Sequence, residues 1–221
     1  MARAAMGDLN RARASLLADL AKDVKDARVL EAMRRIPRER FVPDGERYAA
    51  YQNYPLPIGY GQTISQPLIV GLMTQALLLT GREKVLEVGT GSGYQTALLS
   101  LLAASVVTVE RLVPLARRAE EVLGELGYEN IVVHAVEETV GWPASAPYEA
   151  IIVTAAAPEV PRDLLEQLAL GGRLVIPVGS RNLQELVRII KTPEGAIRHN
   201  LGPCRFVPLL GTDAWPDAAN S

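Results

Sequence analysis

The residues best suited to chemistry stand in one run, Glu87-Val88-Gly89-Thr90-Gly91-Ser92-Gly93-Tyr94-Gln95, a carboxylate followed by three glycines at alternate positions. Glycine has no Cβ, so such a run can turn sharply and bring bare backbone N–H groups and the next helix start against a ligand. It is not a dinucleotide fingerprint: the third glycine comes one residue early, and Tyr94 stands where Gly or Ala is required. No Lys-Ser/Thr pair completes a phosphate loop. Glu87 would repel a pyrophosphate and suits a ligand bearing an ammonium group. S-adenosylmethionine (SAM) has that ammonium, a carboxylate for the helix start and no phosphate, so Glu87, Gly89, Gly91 and Gly93 read as its cradle. The alternative is a glycine turn that only packs a strand against a helix. Glu110 lies roughly 20 residues past the first glycine, the spacing at which an acid accepts hydrogen bonds from both ribose hydroxyls. His134 and His199, the only histidines, belong to no motif and read as structural. The single cysteine, Cys204, reads as a small buried hydrophobe and rules out an internal disulfide or a cysteine-built zinc site; no metal is expected.

These groups need a sheet edge to hold them. Val85–Val88, Ser105–Glu110, Ile131–Val133, Tyr148–Thr154 and Leu174–Val178 read as strands, with helices over 94–99, 114–126 and 162–170 between them. That alternation argues a doubly wound α/β fold with a parallel sheet. Gln184–Lys191 and Phe206–Leu210, with no helix between them, read as an antiparallel hairpin at its edge. Two helices are expected first: one capped by Asp8, with Leu9, Leu16, Leu17, Leu20 and Val24 on one face, and one from Asp26 to Ile36, stopped by Pro37. Residues 38–67 read as a long irregular loop covering the ligand. Pro67 opens a helix that runs to Gly81 with Ser65 or Gln66 at its cap, and from spacing alone Thr63 and Ser65 read as capping residues.

The 221 residues, 48% hydrophobic, suit one domain with a substantial core. Net charge is -2 (Lys+Arg 23, Asp+Glu 25), so nothing in the balance attracts nucleic acid or an anionic membrane. The chain shows no signal-peptide pattern and no apolar run near the ~18 residues of a membrane span. The expectation is a cytoplasmic monomer, with residues 1–211 as one domain (1–66 helices and loop, 67–211 core) and 212–221 as a loose tail.

From Arg38 to Leu210 the chain resembles the protein-L-isoaspartate O-methyltransferases. The pieces that carry the resemblance are Arg40-Phe41-Val42-Pro43, Gln62-Thr63-Ile64-Ser65-Gln66-Pro67, Leu86–Thr96, Tyr148–Pro158 and Gly171–Gly179, in that order. The resemblance implies a Rossmann-like class I methyltransferase with a mostly parallel seven-stranded sheet, an antiparallel edge strand and N-terminal helices. It makes Ser65 the active-site serine rather than a cap. It also implies SAM contacts at Thr63, Ile64, Val88 and Gln95, joining Glu87, Gly89, Gly91, Gly93 and Glu110. The family's Gly-Asp-Gly is here Val136-Glu137-Glu138, so Glu137 keeps an acceptor for the adenine amino group on a longer side chain while both glycines are gone. Trp142, nearby, reads as core packing.

The implied reaction moves the SAM methyl to the free α-carboxylate of isoaspartyl residues in damaged proteins and peptides, leaving S-adenosylhomocysteine. A carboxyl group with an unperturbed pKa near ~4 is ionised at neutral pH, which explains the absence of a histidine base. By position, Gly61, Gln62, Val207 and Leu209 are candidates for gripping the peptide backbone. The alternatives are a SAM methyltransferase acting on a small molecule and a non-catalytic SAM-binding module.

Overall fold

In the computed structural model the run Val85-Leu86-Glu87-Val88 lies in the interior of a seven-stranded sheet and is buried on both faces. The structure describes residues 2–137, 140–211 and 214–215. Among them, α1 (Ala2–Leu20) and α2 (Ala27–Arg35) lead into two 3-10 turns, Arg38–Arg40 and Asp44–Ala49, and a hairpin of β1 (Leu56–Gly59) and β2 (Gln62–Ile64). After α3 (Pro67–Ala76) come β3 (Lys84–Val88), α4 (Tyr94–Ser100), β4 (Ser105–Glu110), α5 (Val113–Glu125), β5 (Ile131–Ala135) and β6 (Tyr148–Val153). The chain continues through α6 (Arg162–Gln167), β7 (Leu168–Gly179), β8 (Gln184–Thr192) and β9 (Gly195–Cys204).

The strand order is β5-β4-β3-β6-β7-β8-β9. The first five are parallel, while β8 is antiparallel to β7 and β9 to β8. The chain winds outward from β3 through β4 to β5 and then returns to the other side of β3 with β6. The carboxyl ends of β3 and β6 therefore flank the point where winding reverses, where doubly wound sheets bind ligands. Side chains alternate across the pleat. Val85, Val106, Ile152 and Val175 pack toward Met73 and Leu77 of α3, and Leu86, Val88, Val107, Val109 and Ile151 pack toward Leu164 of α6. Leu16, Leu20, Val29 and Met33 of the first two helices share a core with Phe41, Ile58, Ile64, Tyr94 and Leu98, which fixes residues 38–66 against α4.

Several expectations are corrected. Asp8 lies inside α1 rather than capping it, and it pairs with Arg11. Residues 38–67 are not one irregular loop, because the two 3-10 turns and the β1–β2 hairpin give the backbone internal partners. The helix at Pro67 ends at Ala76, not Gly81; of the two cap candidates Gln66 takes the position and Ser65 does not, and no side chain caps the helix. The sixth helix stops at Gln167 because Leu168 already pairs with Tyr148, and the Gly171-Gly172 pair falls within the irregularity of β7. The last strand is β9, not Phe206–Leu210. It is an edge strand exposed along most of its length, so it carries no alternating apolar pattern. Phe206–Leu210 instead crosses the mouth of the site: Leu209 N–H donates to the Ala156 carbonyl at 2.7 Å, and Pro208 bridges to Ala156. In the expected tail, Gly211 and Trp215 are tied back by a backbone hydrogen bond, while 212–213 and 216–221 lie outside the described residues.

Candidate active site

A cavity of ≈ 350 Å³ opens at the carboxyl ends of β3, β4 and β6. Its floor is the glycine turn after β3. Gly89 has φ +98, and a Cβ there would stand 2.3 Å from Thr154 Oγ1. The Thr154 hydroxyl reaches the Gly89 carbonyl at 2.7 Å and its N–H donates to the Val88 carbonyl at 3.0 Å, so the end of β6 clamps the turn. Gly93, with φ +86, caps α4 and packs against Ala119 and Leu123. The turn's amides are not bare, as the glycine spacing suggests: Gly89 and Thr90 donate to the Val109 carbonyl and Gly91 to Glu110 Oε2. The glycines therefore shape the cavity mainly by leaving out Cβ atoms, so that the backbone itself forms the wall.

Glu110 ends β4 at the cavity. One oxygen accepts from Gly91 N–H at 2.8 Å and the other from Leu112 N–H at 3.0 Å. Each carboxylate oxygen has a second lone pair, so a held and oriented carboxylate still has two acceptor sites for a vicinal diol. This geometry fits the ribose of SAM.

Glu87 is placed differently from the expectation that it meets the ligand's ammonium. It is fully buried beneath the turn and does not line the cavity. Its Oε2 accepts from Thr96 at 2.5 Å and Thr108 at 2.7 Å, Thr108 is 2.7 Å from the Thr90 hydroxyl, and Oε1 has no partner. Burial pushes its carboxyl up to about 8; the two threonine bonds oppose this and the charge of Glu110 adds to it. Glu87 is thus a neutral hydrogen-bonding group at neutral pH that ties β3, β4 and α4 together.

Ser65, at the end of the Gln62–Ile64 strand, lines the opposite wall with Thr63 and Ile64. Among the described residues its hydroxyl makes no hydrogen bond, and its carbonyl accepts from Arg38 Nη2 at 2.8 Å. Phe41 meets Tyr94 edge-on at 5.7 Å, which joins this wall to α4.

Of the residues singled out from sequence, Gln62, Thr63, Ile64, Ser65, Val88, Gly89, Gly91, Gln95, Glu110, Glu137, Val207 and Leu209 line the cavity; Glu87, Gly93 and Gly61 do not. Glu138 lies outside the described residues. Trp142 packs at the edge of the core and stacks on His134 at 3.8 Å, whereas His199 is exposed on β9. Sequence reading missed Thr90, Tyr94 and Thr154, all in the lining. For Thr154 a signal existed, a polar residue closing a buried strand as Glu110 does. Among the described residues no cluster of His, Cys, Asp and Glu could hold a metal ion.

Comparisons with known proteins bear on the family and the fold. The family model for protein-L-isoaspartate(D-aspartate) O-methyltransferase matches residues 11–214. The chain is 54% identical over 196 residues to protein-L-isoaspartate O-methyltransferase 1 of Syntrophobacter fumaroxidans, covering 89% of this chain and 92% of that one. It is 53% identical over 209 residues to the protein-L-isoaspartate O-methyltransferase of Geobacter metallireducens, covering 94% and 97%. A solved protein-L-isoaspartate O-methyltransferase superposes with TM-score 0.81 at 27% identity, over 91% of this chain and 67% of that one. The fold is shared at TM-score 0.74 and 24% identity, over 87% and 95% of the chains, with a Plasmodium falciparum protein solved in complex with S-adenosyl-L-homocysteine.

Proposed function

The chain belongs to the protein-L-isoaspartate(D-aspartate) O-methyltransferase family, and from that premise we infer that it methylates the free α-carboxylate of L-isoaspartyl residues in damaged proteins and peptides, using SAM and releasing S-adenosylhomocysteine. Esterifying that carboxylate initiates repair. The observation that carries this reading is a cavity with an oriented carboxylate, Glu110, on one wall and an unengaged hydroxyl, Ser65, on another.

When bound, SAM supplies a methyl group on a sulfonium, which the acceptor oxygen takes in line as the C–S bond breaks. Glu110 would hold the ribose and Glu137 the adenine amino group, with Val88, Gly89, Gly91, Gln95, Thr63 and Ile64 completing the pocket. Ser65 orients the acceptor by donating a hydrogen bond from its hydroxyl to one carboxylate oxygen, leaving the other free to attack. It forms no covalent intermediate. Because the acceptor is already an anion, the chain needs no base and contributes alignment and exclusion of water. Gln62, Val207 and Leu209 lie at the rim, suited to backbone contacts with an extended peptide that leave neighbouring side chains free to vary.

The reading is of one catalytic domain over residues 1–211, acting as a cytoplasmic monomer without nucleic-acid partners. A net charge of -2 supports the lack of a nucleic-acid partner, and among the described residues no helix is long and apolar enough to cross a membrane. The test is incubation with labelled SAM and an isoaspartyl peptide beside its aspartyl twin. A base-labile methyl ester on the isoaspartyl peptide alone is expected. Label on neither, despite calorimetric binding of S-adenosylhomocysteine, refutes the activity.

A further inference from the structure

A buried cation stands behind the Ser65 wall of the cavity with no carboxylate paired to it among the described residues. Arg38 is 0% exposed. Its Nε donates to the Ala50 carbonyl and its Nη2 to the Ser65 carbonyl, each at 2.8 Å, and its guanidinium carbon lies 4.6 Å from the centre of the Tyr94 ring. Nη1 has no partner. The adjacent carboxylate, Glu39, is engaged instead by Arg13 and by the Tyr51 hydroxyl. Ser65 and Tyr94, which touch the guanidinium, both line the cavity.

Buried charges are ordinarily paired, because removing an ion from water without a counterion is costly. Two carbonyls and an aromatic face orient this guanidinium, but none of them carries a formal negative charge. A net positive charge is left behind the acceptor wall, in surroundings that screen it far less than water does. An anion in the cavity would supply the missing charge.

We propose that Arg38 is a positioning and specificity-determining residue, which fixes the Ser65 carbonyl and selects an anionic methyl acceptor by supplying its countercharge from behind the cavity wall. This role rests on the methyl-transfer reading of the site. It carries a corollary: methylation removes the acceptor's charge, so the ester product loses the attraction that held the substrate and leaves more readily.

Arg38→Gln removes the charge and keeps an amide donor, while Arg38→Lys keeps the charge and loses the planar fork. In the full chain, Arg38→Gln should raise KM for an isoaspartyl peptide at least about tenfold, on the order of one through-space charge interaction in a poorly screened site. It should change kcat less than KM, and leave calorimetric affinity for S-adenosylhomocysteine within about twofold, because that ligand is held mainly at the glycine turn and Glu110, which Arg38 does not touch. Arg38→Lys should recover most of the lost KM. An unchanged peptide KM in folded Arg38→Gln overturns the proposal, and so does an equal loss of peptide and S-adenosylhomocysteine affinity in both variants. If neither variant folds, the unaltered chain decides. There the isoaspartyl peptide should bind at least about tenfold more tightly than its methyl ester, and equal affinities overturn the proposal. An unaltered chain that methylates no isoaspartyl peptide refutes the activity and the proposal together, a result distinct from a normal enzyme indifferent to Arg38→Gln.

Discussion

Replacing Glu87 by glutamine should remove a pH dependence of stability that the buried carboxyl imposes. In the folded chain burial raises this group from 4.5 to about 8, so between those values the native state holds a proton that the unfolded chain releases. The stability contributed by the protonated group is fully present below 4.5 and is lost as pH rises through 8. At 1.36 kcal/mol per unit the loss amounts to about 3 kcal/mol by pH 7 and about 5 kcal/mol above pH 8, a large share of a typical domain's stability. Glutamine keeps the shape. Its carbonyl can accept from Thr96 and Thr108, as Oε2 does, and its amide stands where the partnerless Oε1 stands. At pH 5 the variant should lie within about 1 kcal/mol of the parent, since a neutral amide replaces a neutral acid. Urea unfolding of both proteins at pH 5, 7 and 8.5 tests this, because groups common to both cancel in the difference. The variant should gain on the parent by about 4 kcal/mol between the first and last pH, since a little of the loss has already occurred at pH 5. A parent–variant difference that is the same at pH 5 and pH 8.5 would refute the assignment of Glu87 as a neutral buried acid.

Ser65→Ala should lower kcat for an isoaspartyl peptide by about 10- to 100-fold, the range for one hydrogen bond to a charged group, with S-adenosylhomocysteine affinity unchanged by calorimetry. An acyl-enzyme trapped in the parent would contradict the orienting role. Gly89→Ala should cost roughly 2 kcal/mol or more of stability in thermal unfolding and weaken S-adenosylhomocysteine binding, because the new Cβ meets Thr154 Oγ1 at a left-handed φ. Adding Thr154→Ala should recover part of that loss, and no recovery would show that backbone strain alone decides. Glu83 responds at the other end of the pH scale. Burial would raise its carboxyl, but bonds from the backbone and hydroxyl of Thr80 and from Arg173 hold it down at about 2. Its contribution is present above 4.5 and lost as pH falls toward 2, so Glu83→Gln should destabilise the chain at pH 6 and have far less effect at pH 2.5 in urea titrations.

Much of the fold is legible in the sequence because it is written in short-range terms. The apolar runs at 85–88, 106–109 and 150–153 each fill a buried strand, and the glycines and Glu110 keep a fixed offset from strand ends, so strand, turn, helix and the acid at the strand end can be located without a structure. The hairpin at 56–64 and the edge strand β9 are not legible in this way. The first is four residues against three, too short for a period to show, and the second is solvated along most of its length, so no apolar pattern marks it.

The sequence by itself determined that a glycine turn follows a buried strand, that an acid ends the neighbouring strand, and that a Thr-Ile-Ser-Gln-Pro segment stands ready to face them. Only the tertiary structure decided which of these groups line the cavity. Glu87 turns inward because β3 is paired on both sides and its carboxyl sits across from Thr108, where threonine hydroxyls replace water. The turn's amides are spent on Val109 and Glu110 for the same reason: packing satisfies backbone groups locally before a ligand arrives. Arg38 gains its place beside Ser65 and Tyr94, residues 27 and 56 positions further along the chain, from the burial of the N-terminal helices and the 38–66 segment against α4. Spacing along a chain cannot report a contact that long-range packing creates.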